Sequence, residues 1–598
     1  MTKRIDTKKE NLWNVSDIYF SIEEWQIELD NITLKKKEPY WPEIEQYRSN
    51  LKSSLRDAIE TIFNLQRKIE KLYTYSHLRH DEDIANNKYK EAHNKSLFLY
   101  TTFNQSIAWF KPELLSLDES CYKELLNDKS MKEYRFYLEK MYRLKKHTLS
   151  PEKELLMAMS ANATSGAQKA FSALNDADFK FGSIENGAGE KLPLTHASYS
   201  QCLRSEDRTL RKNAFVKLHK KYEKYENTMA ELLQGQVHSH IFNSKSHHYH
   251  SSLDAALYPK NINTTVYRNL IKTVESRLSS LHKYIDLRKE LLNLKEIHLY
   301  DMYAPVTKNC EIKFSYEEAC QNVIDSVAPL GKEYQEKIRQ GLIKNGWVDR
   351  YENDNKRSGA YSSGCHDTMP YILLNFKGSL NDVSTLAHEA GHSMHSLLSR
   401  KNQPYQYSDY VIFVAEVAST FNEDLLFHNL FNNSNDKDEK IHLINQKLEN
   451  IRATLFRQTM FASFELWIHE EVERGASLTP AKLKAYYHEL NQKYFGPSTT
   501  IDQEIDIEWA RIPHFYYNFY VYQYATGISA ALALSEKVRN GDESDQKAYL
   551  DFLKGGSSKH PLDLLKGAGV DMNSSQSINS TIDSFETLTK TLYEITRT

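Results

Sequence analysis

The sequence predicts a mostly α-helical protein organised in two or three lobes. Glycine and proline, which interrupt helices, are scarce, with 20 and 14 among 598 residues. Apolar residues recur at helical spacing over residues 42–180 and 205–350, and both stretches are rich in strong helix formers. Because single hydrophobic cores stop growing well below this length, we expect more than one lobe.

The composition is that of a soluble globular protein, with 40% hydrophobic and 26% charged residues. The net charge of −3 gives no bulk attraction to nucleic acid or to an anionic membrane. The longest apolar runs, such as residues 411–415, are too short to span a bilayer, and no apolar segment follows the charged residues 1–10. We therefore expect a cytoplasmic protein without nucleic-acid or membrane partners.

The cysteines agree with a reducing compartment, since they are few, odd in number and never spaced as Cys-x-x-Cys. They are Cys121, Cys202, Cys310, Cys320 and Cys365. Cys365 lies in Ser-Gly-Cys-His-Asp, which raises the alternative of a thiol enzyme, but no basis for activating its thiol is visible. We interpret it as a free cysteine.

The first region, residues 1–200, is predicted to be helical and to end near a β-hairpin. Within residues 181–194, apolar runs flank the turn dipeptide Asn186-Gly187. We place a domain boundary near residue 200, so that residues 201–598 form a second region, which carries the motifs with chemical content.

A small β element is predicted close to the most informative motif of the chain. Residues 358–361 and 371–376 have the pattern of two short strands. An exposed strand edge here would pair with the backbone of an extended peptide, and simple scaffolding is the alternative.

The most informative motif of the chain is Leu-Ala-His-Glu-Ala-Gly-His at residues 386–392. His388 and His392 are four residues apart, so on a helix their rings lie one turn apart and can hold one Zn²⁺ ion. Bound zinc would lower the pKa of a water molecule, and Glu389 is placed to take its proton. Asn381 or Asp382 is the predicted N-cap of this helix. Its apolar residues at helical spacing are Val383, Leu386, Ala387, Ala390, Met394, Leu397 and Leu398.

Glu416 is the candidate third ligand. It lies 24 residues beyond His392 in a second helical run, and two histidines with one glutamate form a known catalytic zinc set. Glu423 follows two turns later on the same face, where it would either accept the second N–H of a zinc-bound histidine or remain a surface carboxylate. His395 shares the stripe of His392, but it lies too far along the axis to join the pair and is interpreted as a residue outside the ligand set. Leu398 excludes the metzincin pattern, which needs histidine there.

A second group of chemically suitable side chains follows in the C-terminal part of the chain. His514, Tyr517, Tyr520 and Tyr524 fall on one stripe if the stretch is helical. An imidazole N–H and tyrosine hydroxyls are suitable donors to an oxyanion. A tyrosine stripe is also typical of core packing, so the residues alone leave both interpretations open.

Several motifs occur together in a fixed order. His388-Glu-Ala-Gly-His-Ser-Met-His395 precedes Ala415-Glu-Val-Ala-Ser-Thr, and residues 299–305, 358–362, 513–527 and 553–562 add further stretches. In these motifs the chain resembles the M3 family of zinc metallopeptidases, the thimet oligopeptidase relatives, and within it the oligoendopeptidase F branch. The similarity covers nearly the whole chain and is clearest from about residue 200 onwards.

The resemblance implies an endopeptidase with one zinc ion that cleaves short oligopeptides. It also implies a mostly helical, two-lobed body that encloses the zinc in a deep channel. His514 and Tyr520 would stabilise the tetrahedral intermediate. Tyr517 and Tyr524 are further candidates, because the spacing after the histidine differs from that of the thimet branch.

Two alternatives remain. An exopeptidase, such as a carboxypeptidase, would read a peptide terminus, yet no charged motif for reading a terminus is identifiable in the sequence. A peptide-binding protein with a residual zinc site would not need Glu389. The sequence gives no indication of oligomeric state, cleavage preference or substrate length.

Overall fold

The computed structural model describes residues 2–33, 41–306 and 312–597; Cys310 of the sequence analysis lies outside these ranges. The chain is 73% helical, and its few strands are two or three residues long. The predicted mostly α class is therefore confirmed.

The α-helices of the described residues are numbered in chain order. They are α1 (Ile22–Ile32), α2 (Pro42–Glu45), α3 (Leu51–Glu82), α4 (Asn87–Ser106), α5 (Phe110–Ser116), α6 (Glu119–Asn127), α7 (Arg135–Tyr142), α8 (Pro151–Thr164), α9 (Gly166–Ser172), α10 (His196–Leu203), α11 (Arg208–Glu223), α12 (Glu226–Ser246), α13 (Ser252–Leu257), α14 (Thr264–Ser276), α15 (Leu278–Leu291), α16 (Tyr316–Ser326), α17 (Lys332–Arg339), α18 (Leu380–Asn402), α19 (Tyr405–Ser408), α20 (Ile412–Asn433), α21 (Lys437–Ile451), α22 (Arg457–Glu473), α23 (Pro480–Phe495), α24 (Tyr522–Asn540), α25 (Glu543–Lys554), α26 (Pro561–Gly567) and α27 (Gln576–Arg597).

The strands of the described residues form three small sheets. They are β1 (Ser183–Glu185), β2 (Lys191–Pro193), β3 (Ile297–His298), β4 (Val348–Asp349), β5 (Tyr361–Ser363), β6 (Tyr371–Leu373) and β7 (Thr499–Thr500). Antiparallel β1 and β2 form the hairpin predicted around Asn186-Gly187. The strand pair predicted near the His-Glu-x-x-His motif is present as antiparallel β5 and β6, although β5 begins at Tyr361 rather than at residue 358 and β6 ends at Leu373 rather than at residue 376. Strand β4 pairs in parallel with the far side of β6, so β5 is an edge strand.

The chain divides into two compact units, each assembled from three stretches. Unit 1 comprises Met1–Thr148, Ile312–Leu430 and Leu534–Gly569, and unit 2 comprises Leu149–Glu311, Phe431–Ala533 and Val570–Thr598. The two units group residues that lie close together in space, whereas the predicted boundary near residue 200 divides the chain by sequence order. That boundary therefore stays a prediction.

Unit 1 has a core in which the long helix α3 packs on α4. Trp25 is buried beside α3 and donates its indole N–H to the carbonyl oxygen of Leu72 at 3.0 Å. Tyr371 and Leu373 of β6 are part of the same core, which anchors the small sheet. Helix α18 then packs against β5, β6, α16 and α25.

Unit 2 is built around α11, α12, α22 and α23. The fully buried Asp301 joins its parts, because it accepts hydrogen bonds from Arg208 at 2.9 Å, from Arg211 at 2.8 Å and from the backbone N–H of His298 at 3.1 Å. This carboxylate lies in the motif at residues 299–305. Among the described helices of the chain, none combines the length and apolar character that crossing a bilayer requires.

Candidate active site

Helix α18 carries the His-Glu-x-x-His motif and begins with a capping box. The Ser379 hydroxyl accepts the backbone N–H of Asp382 at 3.2 Å, and the Asp382 carboxylate accepts the backbone N–H of Ser379 at 2.9 Å. The prediction of Asn381 or Asp382 as N-cap is wrong. Ser379 occupies the extended cap position, and Asp382 supplies the reciprocal bond from the third helical position.

The apolar side of α18 is buried as the periodicity predicts, and its polar side presents the two histidines. Of the seven predicted apolar residues, Val383, Leu386, Ala387, Ala390, Met394 and Leu398 are buried and Leu397 is half-buried. The side chains of His388 and His392 remain 27% and 19% exposed. Their ring centroids are 4.8 Å apart, as expected for residues one turn apart on one face.

Helix α20 brings the third candidate ligand to this pair. The Glu416 carboxylate is 3.4 Å from Nε2 of His388 and 3.6 Å from Nε2 of His392. The close crossing of the two helices depends on Gly391, because a Cβ atom there would lie 2.6 Å from the carbonyl oxygen of Ala418.

His388, His392 and Glu416 fit a divalent metal ion. One ligand atom from each lies within 4.8 Å of the other two, and theirs is the one such cluster among the described residues. Burial alone would raise the pKa of Glu416, but the hydrogen bond with His388 and the charge of His392 outweigh burial and lower it to about 2, so Glu416 is ionised. Two imidazoles and one carboxylate form the donor set of a catalytic zinc site.

Glu423 contacts the other nitrogen of His388. Its carboxylate forms a short hydrogen bond with Nδ1 of His388, which leaves Nε2 directed towards the cluster. Burial alone would lower the pKa of His388, but the hydrogen bonds with Glu416 and Glu423 raise it to about 10. The site therefore favours positive charge at the point where the three ligand atoms meet.

Glu389 is buried directly beside the cluster. Burial, together with the charge of Glu416, raises its pKa to about 7, although His388 and a backbone hydrogen bond from Ser362 act in the opposite direction. Ser362 belongs to the edge strand β5 and also hydrogen bonds Ser393 of α18 at 2.8 Å. A carboxylate with a pKa near neutrality has the proton affinity of a general base.

His395 is not part of the cluster. Its buried ring stacks on Tyr410 at 3.7 Å between centroids, and burial lowers its pKa to about 3, so the imidazole is neutral. The Tyr410 hydroxyl hydrogen bonds Ser396 at 2.8 Å, which links the stacked pair to the helix of the histidines.

The second group of candidates lies in unit 2 and differs from the predicted helical stripe. Residues 517–521 are not helical, because a short turn at Pro513–Tyr516 ends before them and α24 begins at Tyr522. The rings nevertheless converge: those of Tyr517, Tyr520 and Tyr524 have centroids 5.9, 6.1 and 5.8 Å from that of His514. Nε2 of His514 is 3.3 Å from the Tyr524 hydroxyl.

The loop that brings these rings together is backbone-strained and anchored. Asn518 and Phe519 both adopt left-handed conformations, with φ of 47° and 58°. The fully buried carboxylate of Glu465 accepts the backbone N–H of Phe519 at 2.6 Å. The role of Glu465 could not be predicted from the sequence, because this residue lies 54 residues from Phe519, on α22, and belongs to no motif.

The chain is similar to known peptidases over most of its length. Residues 201–584 match the pattern of Peptidase family M3, and residues 113–181 match that of Oligopeptidase F. The chain is 43% identical to Oligopeptidase PepF of Bacillus subtilis (strain 168) over 587 residues, which covers 98% of this chain and 87% of the relative.

Two solved structures extend the similarity to the fold. A Chlamydophila abortus crystal structure has a TM-score of 0.95 and 43% identity, with coverage of 99% of this chain and 100% of that one. Oligoendopeptidase-F from Enterococcus faecium has a TM-score of 0.72 and 33% identity, with coverage of 97% and 99%. The chain therefore belongs to peptidase family M3, in its oligoendopeptidase F branch, and is a metallopeptidase.

Proposed function

We propose that this chain is a cytoplasmic, zinc-dependent endopeptidase that hydrolyses internal bonds of short oligopeptides. The observation that carries the proposal is the cluster of His388, His392 and Glu416 with Glu389 buried beside it. Relatives named Oligopeptidase PepF and Oligoendopeptidase F support the substrate class and the internal cleavage. The described cysteines are all free thiols, which agrees with a reducing compartment.

The proposed ligands are His388, His392 and Glu416, one zinc ion per chain. Zinc bound there supplies a Lewis acid that activates water and polarises the carbonyl of the scissile bond. Glu423 fixes the ring orientation and tautomer of His388 through a hydrogen bond with Nδ1 of that histidine. His395, on the same helix as His388, is buried and stacks on Tyr410.

Glu389 is the proposed general base. It takes the proton of the attacking water and then donates it to the leaving amine. The same carboxyl group must therefore act first in its ionised state and then in its protonated state. Burial beside the cluster raises the pKa of Glu389 to about 7, which is below that of a free α-amino group, so the protonated carboxyl group can pass its proton to the leaving amine. The hydrogen bond from Ser362 directs the carboxylate.

His514 and Tyr520, with Tyr517 and Tyr524 as further candidates, are the proposed donors to the oxyanion. The support is the family resemblance together with the convergence of the four rings within unit 2. Such donors commonly contribute a few kcal/mol to lowering the barrier.

The edge strand β5 is the proposed pairing site for the substrate backbone. β5 hydrogen bonds on one side only, to β6, and its Ser362 also contacts Glu389. Pairing through main-chain groups would give affinity with little dependence on the side chains of the peptide.

Mass spectrometry of an internally quenched oligopeptide tests the proposal. The peptide is incubated with the native enzyme, with enzyme plus chelator, with chelated enzyme plus added zinc, and with Glu389→Gln. Glu336→Gln is the matched control, because Glu336 is an exposed glutamate of unit 1 outside the cluster. We expect internal fragments from the native enzyme, the zinc-restored enzyme and the control variant.

The other outcomes assign a different activity. Stepwise loss of terminal residues would make the chain an exopeptidase. Saturable binding without zinc-dependent fragments at any peptide length would make it a peptide-binding protein.

A further inference from the structure

A cavity of about 340 Å³ lies wholly within unit 2 and has a strongly cationic wall. This volume is within the range of small-ligand sites. The charged and imidazole side chains that line it are Arg204, Arg452, Arg457, Arg511, Glu508 and His514. Four guanidinium groups therefore face one carboxylate.

Glu508 does not neutralise its two neighbours. Arg457 donates to the Glu508 carboxylate at 2.6 Å and Arg511 at 3.0 Å, while the Tyr487 hydroxyl donates to the other oxygen at 2.7 Å. Burial raises the pKa of Glu508, but Arg457 and Arg511 lower it to about 2, so it carries one negative charge against two positive ones.

The same imbalance occurs at Arg452. Arg452 and Arg288 share the single carboxylate of Glu449, at 2.7 and 3.3 Å. Tyr303 lies against this pair, with the Arg452 guanidinium 4.8 Å from its ring centroid. Burial alone would raise the pKa of Tyr303, yet Arg457 and Arg452 lower it below its ordinary value, which reflects the excess positive charge.

Several polar atoms of the cavity wall have no hydrogen-bond partner within the described ranges. These are Nε of Arg511, Oε1 of Gln458 and Oδ1 of Asn491, and Asn491 is completely buried. The guanidinium requires an acceptor, whereas the two amide oxygens require donors. All three atoms are enclosed by protein, so the cavity offers a ligand the positive charge of its arginines rather than these atoms.

We infer that this cavity binds a carboxylate group of the substrate peptide. Arg457 and Arg511 are the anion-binding residues, with Arg204 at the exposed rim. Apolar side chains such as Phe215 and Phe461 form the rest of the wall and take the body of the residue. The inference rests on the proposed function, because a peptide is the ligand.

His514 belongs both to this cavity and to the proposed catalytic residues, because it lines the cavity and is also a proposed oxyanion donor. The charge is either an acidic side chain or the peptide C-terminus. The arginines lie at positions 204, 452, 457 and 511, which explains why no charge-reading motif is visible in the sequence.

Binding to the zinc-loaded Glu389→Gln variant tests the inference separately from catalysis. Fluorescence anisotropy measures the affinity for two series of oligopeptides. The first series compares peptides that have a free C-terminus with the same peptides as C-terminal amides. The second series places glutamate at each position in turn and compares each peptide with its glutamine counterpart. We expect at least one charged form to bind about tenfold more tightly than its neutral partner. Preference for the free acid identifies the C-terminus, and preference for glutamate at one position identifies a side chain.

The same measurement is repeated after Arg511→Met, Arg511→Lys and Arg204→Met, each in the Glu389→Gln background. Arg474→Met is the control, because Arg474 is an exposed arginine of unit 2 that does not line the cavity. We expect Arg511→Met to abolish the preference while affinity for the neutral peptide stays unchanged, and Arg511→Lys to retain part of it. If thermal melting shows that Arg511→Met is unfolded, the affinities of Arg204→Met, which changes an exposed residue, and of Arg511→Lys test the inference instead.

The outcomes separate the two proposals. Equal affinity for charged and neutral peptides, or a preference that survives every cavity variant, overturns the carboxylate site even if the native enzyme cleaves peptides. A preference lost with Arg511 upholds the site even if the native enzyme cleaves none, in which case the proposed function fails.

Discussion

His388 has carboxylate contacts at both ring nitrogens, and this distinguishes it from His392. Glu416 lies 3.4 Å from its Nε2, and Glu423 hydrogen bonds its Nδ1. The two glutamates are seven residues apart on α20, so both project from one face of the helix. One spacing thus supplies a proposed metal ligand and a carboxylate that contacts the proposed ligand His388.

Replacing Glu423 by glutamine is expected to weaken zinc binding about 10–100-fold, because outer partners of metal ligands commonly contribute this much. The amide keeps the shape but removes the charge that holds the tautomer of His388. Competition titration against a zinc-binding dye measures the affinity, with Glu336→Gln as control. An unchanged affinity would show that Glu423 is only a neighbouring surface carboxylate.

The grouping of His388, His392 and Glu416 could be predicted from sequence because these residues have a local signature. His388 and His392 are separated by one helical turn, and Glu416 follows in the next helical run. The hydrogen bond from Ser362 to Glu389 has no such signature, because it depends on a strand packing against the helix. Contacts between distant segments cannot be derived from spacing alone.

Glu465 gives a pH-dependent prediction. Burial raises its pKa from the ordinary 4.5 to about 8, so between these pH values the folded chain keeps a proton that the unfolded chain releases. Below this window both states are protonated, and above it both are ionised. The free energy of unfolding therefore falls as pH rises from about 4.5 to 8, by up to about 1.4 kcal/mol per pH unit.

Glutamine at position 465 cannot titrate, so Glu465→Gln is expected to gain stability relative to the native chain across this window. Urea unfolding at pH 5, 6.5 and 8 measures the difference, and Glu471→Gln on the same helix is the control. Parallel pH profiles for native and Glu465→Gln chains would contradict the prediction.

At the scale of elements, the site depends on how closely α18 and α20 cross. Gly391 lies at the crossing, where an added Cβ would be 2.6 Å from a carbonyl oxygen and 2.8 Å from the Cα of Ser419. Both neighbours are backbone atoms, which cannot rotate away as a side chain would. The close packing of the two helices requires glycine at position 391. The sequence alone shows this residue only as the fourth position of the His-Glu-x-x-His motif.

Gly391→Ala is expected to destabilise the protein by about 1–3 kcal/mol, the range for inserting a methyl group into a packed core. It should also weaken zinc binding, because Glu416 moves with α20. Gly567→Ala is the control, since a Cβ at that position has no neighbour within 4 Å. Denaturant unfolding and zinc titration measure the two effects; equal behaviour of the two variants would show that the helices separate without cost.

The segment after Pro513 shows where periodicity fails. Its spacing predicts a helical stripe, yet Asn518 and Phe519 are left-handed and Glu465 holds the Phe519 N–H. The anchor comes from a helix elsewhere in unit 2, so a tertiary contact overrides the local pattern. The predicted hairpin at residues 181–194, by contrast, is confirmed because its turn dipeptide and flanking strands are contiguous.

At the scale of the whole molecule, chain order and spatial grouping differ. Residues 312–430 belong to unit 1, although residues 149–311 and 431–533 on either side belong to unit 2. The composition and helical periodicity predict the fold class, which depends on local properties. They do not predict this interleaving or the grouping of Arg204, Arg452 and Arg511, because both depend on long-range packing.

All three proposed ligands lie in unit 1 on α18 and α20, so metal binding is expected to stabilise these two helices most strongly. At a free zinc concentration 100 times the dissociation constant, binding contributes about 2.7 kcal/mol to the folded state. Hydrogen exchange of the zinc-loaded and chelated protein measures the effect by segment. We expect faster exchange in α18 and α20 after chelation and recovery when zinc is added, with α22 of unit 2 as the comparison segment. Unchanged exchange in α18 and α20 would mean that the helices hold the ligands in place without the ion, and that the metal adds chemistry but no stability.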